Sequence, residues 1–309
     1  GYKMRILEMY GQEFARLRGK ALIEAILSSE GRTLIAEVEG ISSSAPYGYD
    51  RHANGAEYSA AFGADLIIVN NATPSLPGPV IPGIDDLSPV PEGFGGLARF
   101  LGRPCAPILE PNISVVPDKM RANRQNGIAA EASGANFAVL TANPNRGCIS
   151  HKDIFMSISS FREGTDMVLF AGKMHHSGCV EDFSPSIAKQ YIQAGADGVI
   201  IPVPGTVPGL TEDAAQAFAY AAHEEGGIVL SSITTSQEGS DIETIRRLAL
   251  SAKRIGADVH HISTAGYPFG SPPPENLYAY SVAIRGIRHT WNRMSRNLRN
   301  HWGNSSYVD

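Results

Sequence analysis

A short phrase that recurs four times is the feature of this sequence that most constrains its fold. Glycine, alanine and an aspartate or asparagine stand directly before an apolar run in FGADLIIV, SGANFAVL, AGADGVII and IGADVHHI. Glycine readily takes the left-handed conformation that ends a helix, and a short apolar run bounded in this way is typical of a buried strand. The recurrence therefore indicates one β/α unit that is used repeatedly.

The apolar runs along the whole chain predict eight strands with helices between them. We expect strands at Thr33–Glu39, Asp65–Asn71, Pro107–Asn112, Asn136–Asn143, Asp166–Lys173, Gly198–Val203, Ile228–Ile233 and Asp258–Ser263. The clearest helices are predicted at Pro185–Ala194, Glu212–Glu225, Ile242–Ile255 and Pro274–Leu298, with an extra helix, Glu13–Ser29, before the first strand. Eight such units predict an α/β fold, a single closed (β/α)8 barrel over residues 4–300 followed by a C-terminal tail at 301–309. An open doubly wound sheet is the alternative.

Composition limits the class of partner and the compartment. The chain has 309 residues and a formal charge of −5, which gives no electrostatic reason to expect nucleic acid or an anionic membrane as a partner. The three cysteines are far apart and include no CxxC pair, so we expect free thiols in a reducing cytoplasm rather than a disulfide framework. The tail after the arginine-rich last predicted helix suits packing on a neighbouring subunit, and we expect a homo-oligomer.

Chemically active side chains stand at the ends of several predicted strands. In a (β/α)8 barrel the active site forms at the C-terminal ends of the strands, so these side chains are expected to share one pocket. Strand alternation places Glu37 and Glu39 on one face of the first strand. The predicted catalytic residues are Lys173, Glu37, Glu110, His175 and His260. Strand eight also carries His261 on its opposite face, and the sequence leaves open which histidine faces the pocket.

These residues support an enzyme that acts on a small anionic metabolite, an oxo acid or a phosphorylated compound. The preferred reaction is lyase or aldolase-type carbon–carbon chemistry, with Lys173 forming a Schiff base or orienting an enolate while Glu37 or Glu110 moves the proton. The alternative is a metal-dependent isomerase or hydrolase in which His175, His260 and Glu110 bind zinc, manganese or magnesium. No cofactor follows with certainty from the residues.

Two further interpretations remain open. Cys148 or Cys179, each in a loop at the predicted mouth, is a candidate nucleophile beside a histidine. A barrel that binds a small molecule without turning it over is the alternative from outside the enzyme class.

Substrate contacts are predicted around the same mouth. Hydroxyl and glycine residues before a helix suit a phosphate or a carboxylate, because free backbone N–H groups and the helix dipole favour an anion. The predicted substrate-binding residues are Glu39, Asn70, Asn112, Asn143, Thr234, Thr235, Ser236 and Gly266. The long loop after strand two, ATPSLPGPVIPGIDDLSPVPEGFGG, is expected to form part of a lid.

Several stretches of the chain resemble one family of proteins. They are AGKMHHSG, IPVPGTVPGLTED, TTSQEGSDIETIRRLAL, GADVHHISTAG and PPENLYAYSVAIRGIRHTWNRM, and the likeness runs from about Met4 to Met294. The sequence resembles a poorly characterised bacterial family of TIM-barrel proteins that has been labelled phosphoenolpyruvate-phosphomutase-like or haloacid-dehalogenase-like. The resemblance implies a barrel and a cytoplasmic enzyme.

Overall fold

The computed structural model of the protein describes residues 3–40, 53–71, 93–143, 145–264 and 270–299. Most of the predicted lid, the tail at 301–309 and Gly266 lie outside these residues. The last four residues of the predicted lid, 93–96, belong to a helix instead.

The described residues alternate between strands and helices as the sequence predicts. The strands are β1 Thr33–Glu39, β2 Leu66–Asn70, β3 Cys105–Leu109, β4 Ala138–Leu140, β5 Leu169–Gly172, β6 Gly198–Pro202, β7 Ile228–Ile233 and β8 Val259–Ile262. The helices are α1 Gly11–Ala15, α2 Gly19–Ser28, α3 Gly55–Ala61, α4 Gly93–Leu101, α5 Arg124–Ala132, α6 His151–Arg162, α7 Pro185–Ala194, α8 Glu212–Glu224, α9 Ile242–Ile255 and α10 Pro274–Arg299. Within the described residues, no helix combines the length and the apolar character needed to span a membrane.

The strands form a closed parallel barrel in the order β1 to β8, and β8 pairs with β1. The predicted (β/α)8 barrel is therefore confirmed. The predicted helix over Glu13–Ser29 is two helices, because residues 16–18 separate α1 from α2 and Arg18 is extended. Helix α10 is likewise interrupted at Gly286, whose φ is 75°.

The recurring glycine-alanine phrase closes the N-terminal end of the barrel. Its four glycines all have a positive φ, as the helix-ending role requires. The polar residue two positions later accepts a hydrogen bond from the first or second amide of the preceding strand. These bonds are Leu34 N to Asp65 (2.8 Å), Cys105 N to Asn136 (2.9 Å), Leu169 N to Asp197 (2.9 Å) and Val229 N to Asp258 (2.8 Å). One side chain thus ties each of these strands to the start of the next.

A buried ion cluster fastens the last helix to this end of the barrel. Arg285 and Arg293 of α10 each place a guanidinium nitrogen 2.6 Å from a carboxylate oxygen of Asp65. Burial alone would raise the pKa of Asp65, but the two arginines and the Leu34 N–H hold the pKa below its ordinary value. These two arginines are thus structural and do not belong to a solvated face.

Alternation along the strands separates the barrel interior from the layer between sheet and helices. On β1, Ile35 packs inside the barrel with Ile68, Phe170 and Leu230, whereas Leu34, Ala36 and Val38 pack in the outer layer. Glu37 and Glu39 continue the phase of Ile35, so the prediction that both carboxylates face the interior is confirmed. Their strand end is the end at which active sites of such barrels form.

Candidate active site

A buried hydrogen-bonded chain of three side chains connects β7, β8 and β1 inside the barrel. His261 Nε2 lies 2.9 Å from Glu37 Oε1, and His261 Nδ1 lies 2.6 Å from Ser232 Oγ. His261 and Ser232 have no exposed surface, and Glu37 is 5% exposed. When the imidazole is neutral and protonated on Nε2, its Nε2–H donates a hydrogen bond to Glu37, and Nδ1 accepts a hydrogen bond from the Ser232 hydroxyl. The arrangement holds the Glu37 carboxylate in one orientation at the inner end of the pocket.

The second carboxylate of β1 lies above Glu37, nearer the mouth. Asn71 Nδ2 donates to Glu39 Oε2 over 3.0 Å, and Thr264 Oγ1 lies 3.5 Å from Oε1. Burial and the negative charge of Glu37 raise the pKa of Glu39, although the two hydrogen bonds oppose the change. A carboxyl group with a raised pKa can act as a neutral hydrogen-bond donor to a ligand.

Glu110 occupies the corresponding position after β3. Asn143 binds it twice, from Nδ2 to Oε1 (2.5 Å) and from the backbone N–H to Oε2 (3.3 Å), and Ser114 donates to Oε2 over 3.1 Å. Burial raises the pKa of Glu110, and these hydrogen bonds reduce the rise. Asn143, predicted to touch substrate, thus orients a carboxyl group.

His175 lies close enough to Glu37 for their charges to interact. Its Nδ1 accepts a hydrogen bond of 2.9 Å from the Ser177 N–H, so the neutral ring carries its proton on Nε2. Burial lowers the pKa of His175 to about 4, and the negative charge of Glu37 only partly offsets the effect. At neutral pH this side chain is an uncharged donor.

The structure places Lys173 elsewhere. Leu169 and Ala171, which share its strand phase, pack in the outer layer, and the Lys173 ammonium follows them. Its Nζ lies 2.6 Å from Glu181 Oε2 and donates to the carbonyls of Cys179 (2.9 Å) and His176 (3.4 Å). Lys173 is thus engaged by the loop and does not reach Glu37 as predicted, although its positive charge is close enough to His175 to lower the pKa of that ring. Phe170 and Met174 both pack inside the barrel, so the alternation continues through Gly172 and is lost only where the chain bends at Met174 and His175. The expected phase between Lys173 and His175 therefore does not hold.

The prediction that His260 faces the pocket is also wrong. Its Nδ1 lies 2.6 Å from the Tyr280 hydroxyl of α10 and its Nε2 lies 2.9 Å from the Gly31 carbonyl. The predicted metal set of His175, His260 and Glu110 is therefore not brought together. Across the described ranges, no group of three or more histidine, cysteine, aspartate or glutamate side chains is arranged to hold a metal ion.

Two of the three hydroxyl groups predicted to bind an anion make hydrogen bonds within the protein. Thr234 donates to the Met174 carbonyl (3.1 Å) and Thr235 to the side chain of Gln237 (2.6 Å), while Ser236 is exposed. Asp241 caps the following helix by accepting from the Thr244 N–H over 2.7 Å.

The two predicted strand-end asparagines have different surroundings. The Asn70 side chain accepts a hydrogen bond of 2.8 Å from the Asn71 N–H. The side-chain oxygen of Asn112 is buried, and it has no partner among the described residues. Asn112 thus keeps a polar atom for a ligand or a water molecule.

Cys148 and Cys179 form a disulfide between the loops after β4 and β5. The expectation of three free thiols is wrong, and neither cysteine is a thiol nucleophile while the bond is intact. Cys105 is free and buried.

Ser232 is the site residue that strand reasoning missed, and His261 is the histidine of β8 that it could not choose over His260. The phase of a strand can be fixed only by an apolar-polar contrast, and β8 is apolar on both faces, with Val259 inside and Ile262 outside. The register of β8 on β1, in which His261 pairs with Ile35, is the signal that identifies the interior histidine.

Comparison with solved structures shows the fold. The chain is similar to the structure of an archaeal fructose-1,6-bisphosphate aldolase with its catalytic lysine covalently bound to the carbinolamine intermediate of the substrate. The match has 14% identity, a TM-score of 0.52, and covers 82% of this chain and 94% of the other. A second crystal structure of an archaeal fructose 1,6-bisphosphate aldolase matches with 14% identity, the same coverage and a TM-score of 0.50. At this identity the likeness concerns the barrel alone.

Comparison with curated proteins found no relative of this chain. A family model described as a domain of unknown function, DUF7916, matches residues 7–300. Because the match spans nearly the whole chain, this protein belongs to the DUF7916 family.

Proposed function

We propose that this protein is an enzyme of the lyase or aldolase type that performs acid–base chemistry on a small oxo acid or phosphorylated metabolite. The observation that carries the proposal is the chain from Ser232 through His261 to Glu37, which is buried at the C-terminal ends of the barrel strands. A carboxylate that is oriented in this way, next to an uncharged imidazole donor, suits proton removal from carbon or oxygen.

Glu37 is the proposed proton carrier. Its Oε1 is held by His261, so its Oε2 takes the proton from the carbon next to the substrate carbonyl, and an enolate forms. In the cleavage direction Glu37 removes the proton of a β-hydroxyl group, the carbon–carbon bond breaks, and the enolate is protonated again. The Nε2–H of His175 donates to the oxygen on which negative charge develops.

Three carboxyl groups at the mouth would repel an anion if all were ionised. The raised pKa values of Glu39 and Glu110 reduce this repulsion, because a raised pKa favours the protonated form, which can donate a hydrogen bond to a substrate carboxylate or phosphate. A cytoplasmic location and a homo-oligomeric state belong to the same proposal.

The Schiff-base version of the chemistry receives no support from the geometry, because Lys173 is engaged by Glu181 and two carbonyl groups. The proposed reaction therefore needs no imine. A need for zinc, manganese or magnesium remains a prediction that chelation tests.

Deuterium incorporation tests the proposal. The protein is incubated in D2O with a panel of 2-oxo acids and ketose phosphates, and exchange next to each carbonyl is followed by proton NMR, before and after treatment with a chelator. Glu37→Gln is expected to lower the exchange rate by about 100-fold or more. Glu243→Gln is the matched control, because Glu243 is an exposed residue of α9 that forms a salt bridge with Arg247. Equal rates for Glu37→Gln and the wild-type protein would refute the assignment.

A further inference from the structure

Two loops meet beside His175 and are joined there by the Cys148–Cys179 disulfide. One runs from the end of β4 to α6, and the other from the end of β5 to α7. A glycine precedes each cysteine, and both glycines have a positive φ, 115° for Gly147 and 75° for Gly178. A Cβ atom on Gly178 would lie 2.6 Å from the Gly147 carbonyl oxygen. A side chain at position 178 would therefore clash with the other loop, next to the two cysteines.

The disulfide, the Lys173 ammonium and Ser177 together fix the β5 loop at this point. Ser177 accepts a hydrogen bond at its carbonyl from the Ile149 N–H (3.2 Å), and its hydroxyl donates to the Ala142 carbonyl (3.2 Å). The same Ser177 donates its N–H to the His175 ring. The position of the ring thus depends on how firmly Ser177 is held against the β4 loop.

The disulfide lies where a reductant can reach it. Cys148, Gly147 and Gly178 are exposed, and Val180, next to Cys179, is 82% exposed. The remaining cysteine, Cys105, is buried in the outer layer and stays apart from this pair. In a reducing compartment an exposed disulfide of this kind is usually transient or regulatory, whereas an exported protein uses disulfides for stability.

We propose that Cys148 and Cys179 form a redox site whose substrate is a dithiol reductant, and that reduction releases the β5 loop and displaces His175. The dithiol transfers two electrons and two protons: the S–S bond breaks, two thiols form, and the reductant becomes a disulfide. The effect on catalysis rests on the proposed function, but the movement of the loop does not.

The test uses the intact wild-type protein with dithiothreitol, followed by iodoacetamide and mass spectrometry. Two thiols are expected to be alkylated without unfolding, and hydrogen exchange in residues 174–181 is expected to become about tenfold faster. Oxidised glutathione should reverse both changes. Residues 203–211, in the loop after β6, serve as the internal control. The Cys148→Ser/Cys179→Ser double variant should exchange at the reduced rate with or without dithiothreitol, and Cys105→Ala should respond as the wild type does.

Proton NMR of His175 gives a second readout. Its pKa is about 4 in the disulfide form, because of burial, and should move up toward the ordinary value of 6.5 on reduction. The proposal is overturned if the disulfide resists reduction until the protein unfolds, if the cysteines stay as thiols under oxidised glutathione, or if reduction changes exchange in residues 174–181 by less than about twofold. If reduction speeds hydrogen exchange in residues 174–181 but the protein incorporates no deuterium into any substrate, the proposed function alone is refuted.

Discussion

Replacement of Lys173 by methionine distinguishes an anchoring lysine from an imine-forming lysine. The ammonium has no exposed surface and contacts the Glu181 carboxylate and two loop carbonyls. Removal of one partner from a fully buried ion pair costs roughly 3–5 kcal/mol. The Glu181 side chain is 32% exposed, so water compensates for part of this loss, and we expect a loss of about 2–4 kcal/mol.

Urea unfolding of Lys173→Met measures this loss, and the Lys173→Met/Glu181→Gln double variant controls for the carboxylate that is left without a partner. The double variant should lose less, about 1–2 kcal/mol, because no charge then remains beside the apolar side chain. A Lys173→Met protein that keeps wild-type stability, or borohydride trapping of an oxo acid on Lys173, would refute the anchoring role.

The stabilisation that the Lys173–Glu181 pair provides should decrease at low pH. Partial burial alone would raise the pKa of Glu181, but hydrogen bonds from Lys173 and from the His151 N–H lower it below the ordinary value of 4.5. The stabilisation is therefore complete above pH 4.5 and is lost as the pH falls through the lower pKa of the folded state. The stability difference between Lys173→Met and the wild type should shrink in that range.

The remaining predictions concern the rest of the barrel. Asp65→Asn should lower the free energy of unfolding by about 3–5 kcal/mol, because two buried arginines lose their counter-charge; a loss below about 1 kcal/mol in urea unfolding would contradict this. Ser232→Ala should slow deuterium exchange by about tenfold, because the tautomer of His261 is no longer fixed, and an unchanged rate would argue against that role. Burial lowers the pKa of three histidines in the folded state, to about 4 for two of them and to about 3 for the third. The free energy of unfolding should therefore fall as the pH drops below 6.5, by about 1.4 kcal/mol per pH unit for each histidine. They are His151, His175 and His260. Urea midpoints that stay constant between about pH 6.5 and 4.5 would contradict this account.

The barrel could be predicted from the sequence because its signals are local. Each apolar run, each capping glycine and each following helix is encoded within a few residues, and helix bounds such as Pro185–Ala194 and Ile242–Ile255 agree with the structure. The aspartate or asparagine after glycine-alanine accepts a hydrogen bond from an amide of the previous strand. That contact joins residues distant in sequence, so it was not predicted.

The site was predicted only where the strand stays regular. Glu37 and Glu39 lie within β1, where alternation holds to the last residue. Alternation after β5 runs on to Met174 and is lost where the chain bends at Met174 and His175, so His175 does not keep the phase of Lys173. His260 and His261 could not be told apart, since both faces of a parallel strand are buried and apolar. The disulfide depends on two loops that are 31 residues apart in sequence, and no spacing rule predicts their contact.

A crystal structure of the protein with oxalate, a planar analogue of the enolate of a 2-oxo acid, tests the central claim most directly. We expect oxalate to bind inside the barrel mouth, with one oxygen within hydrogen-bonding distance of His175 Nε2 and the ligand against Glu37. Oxalate found only outside this pocket, for example beside Lys173 in the outer layer, would contradict it.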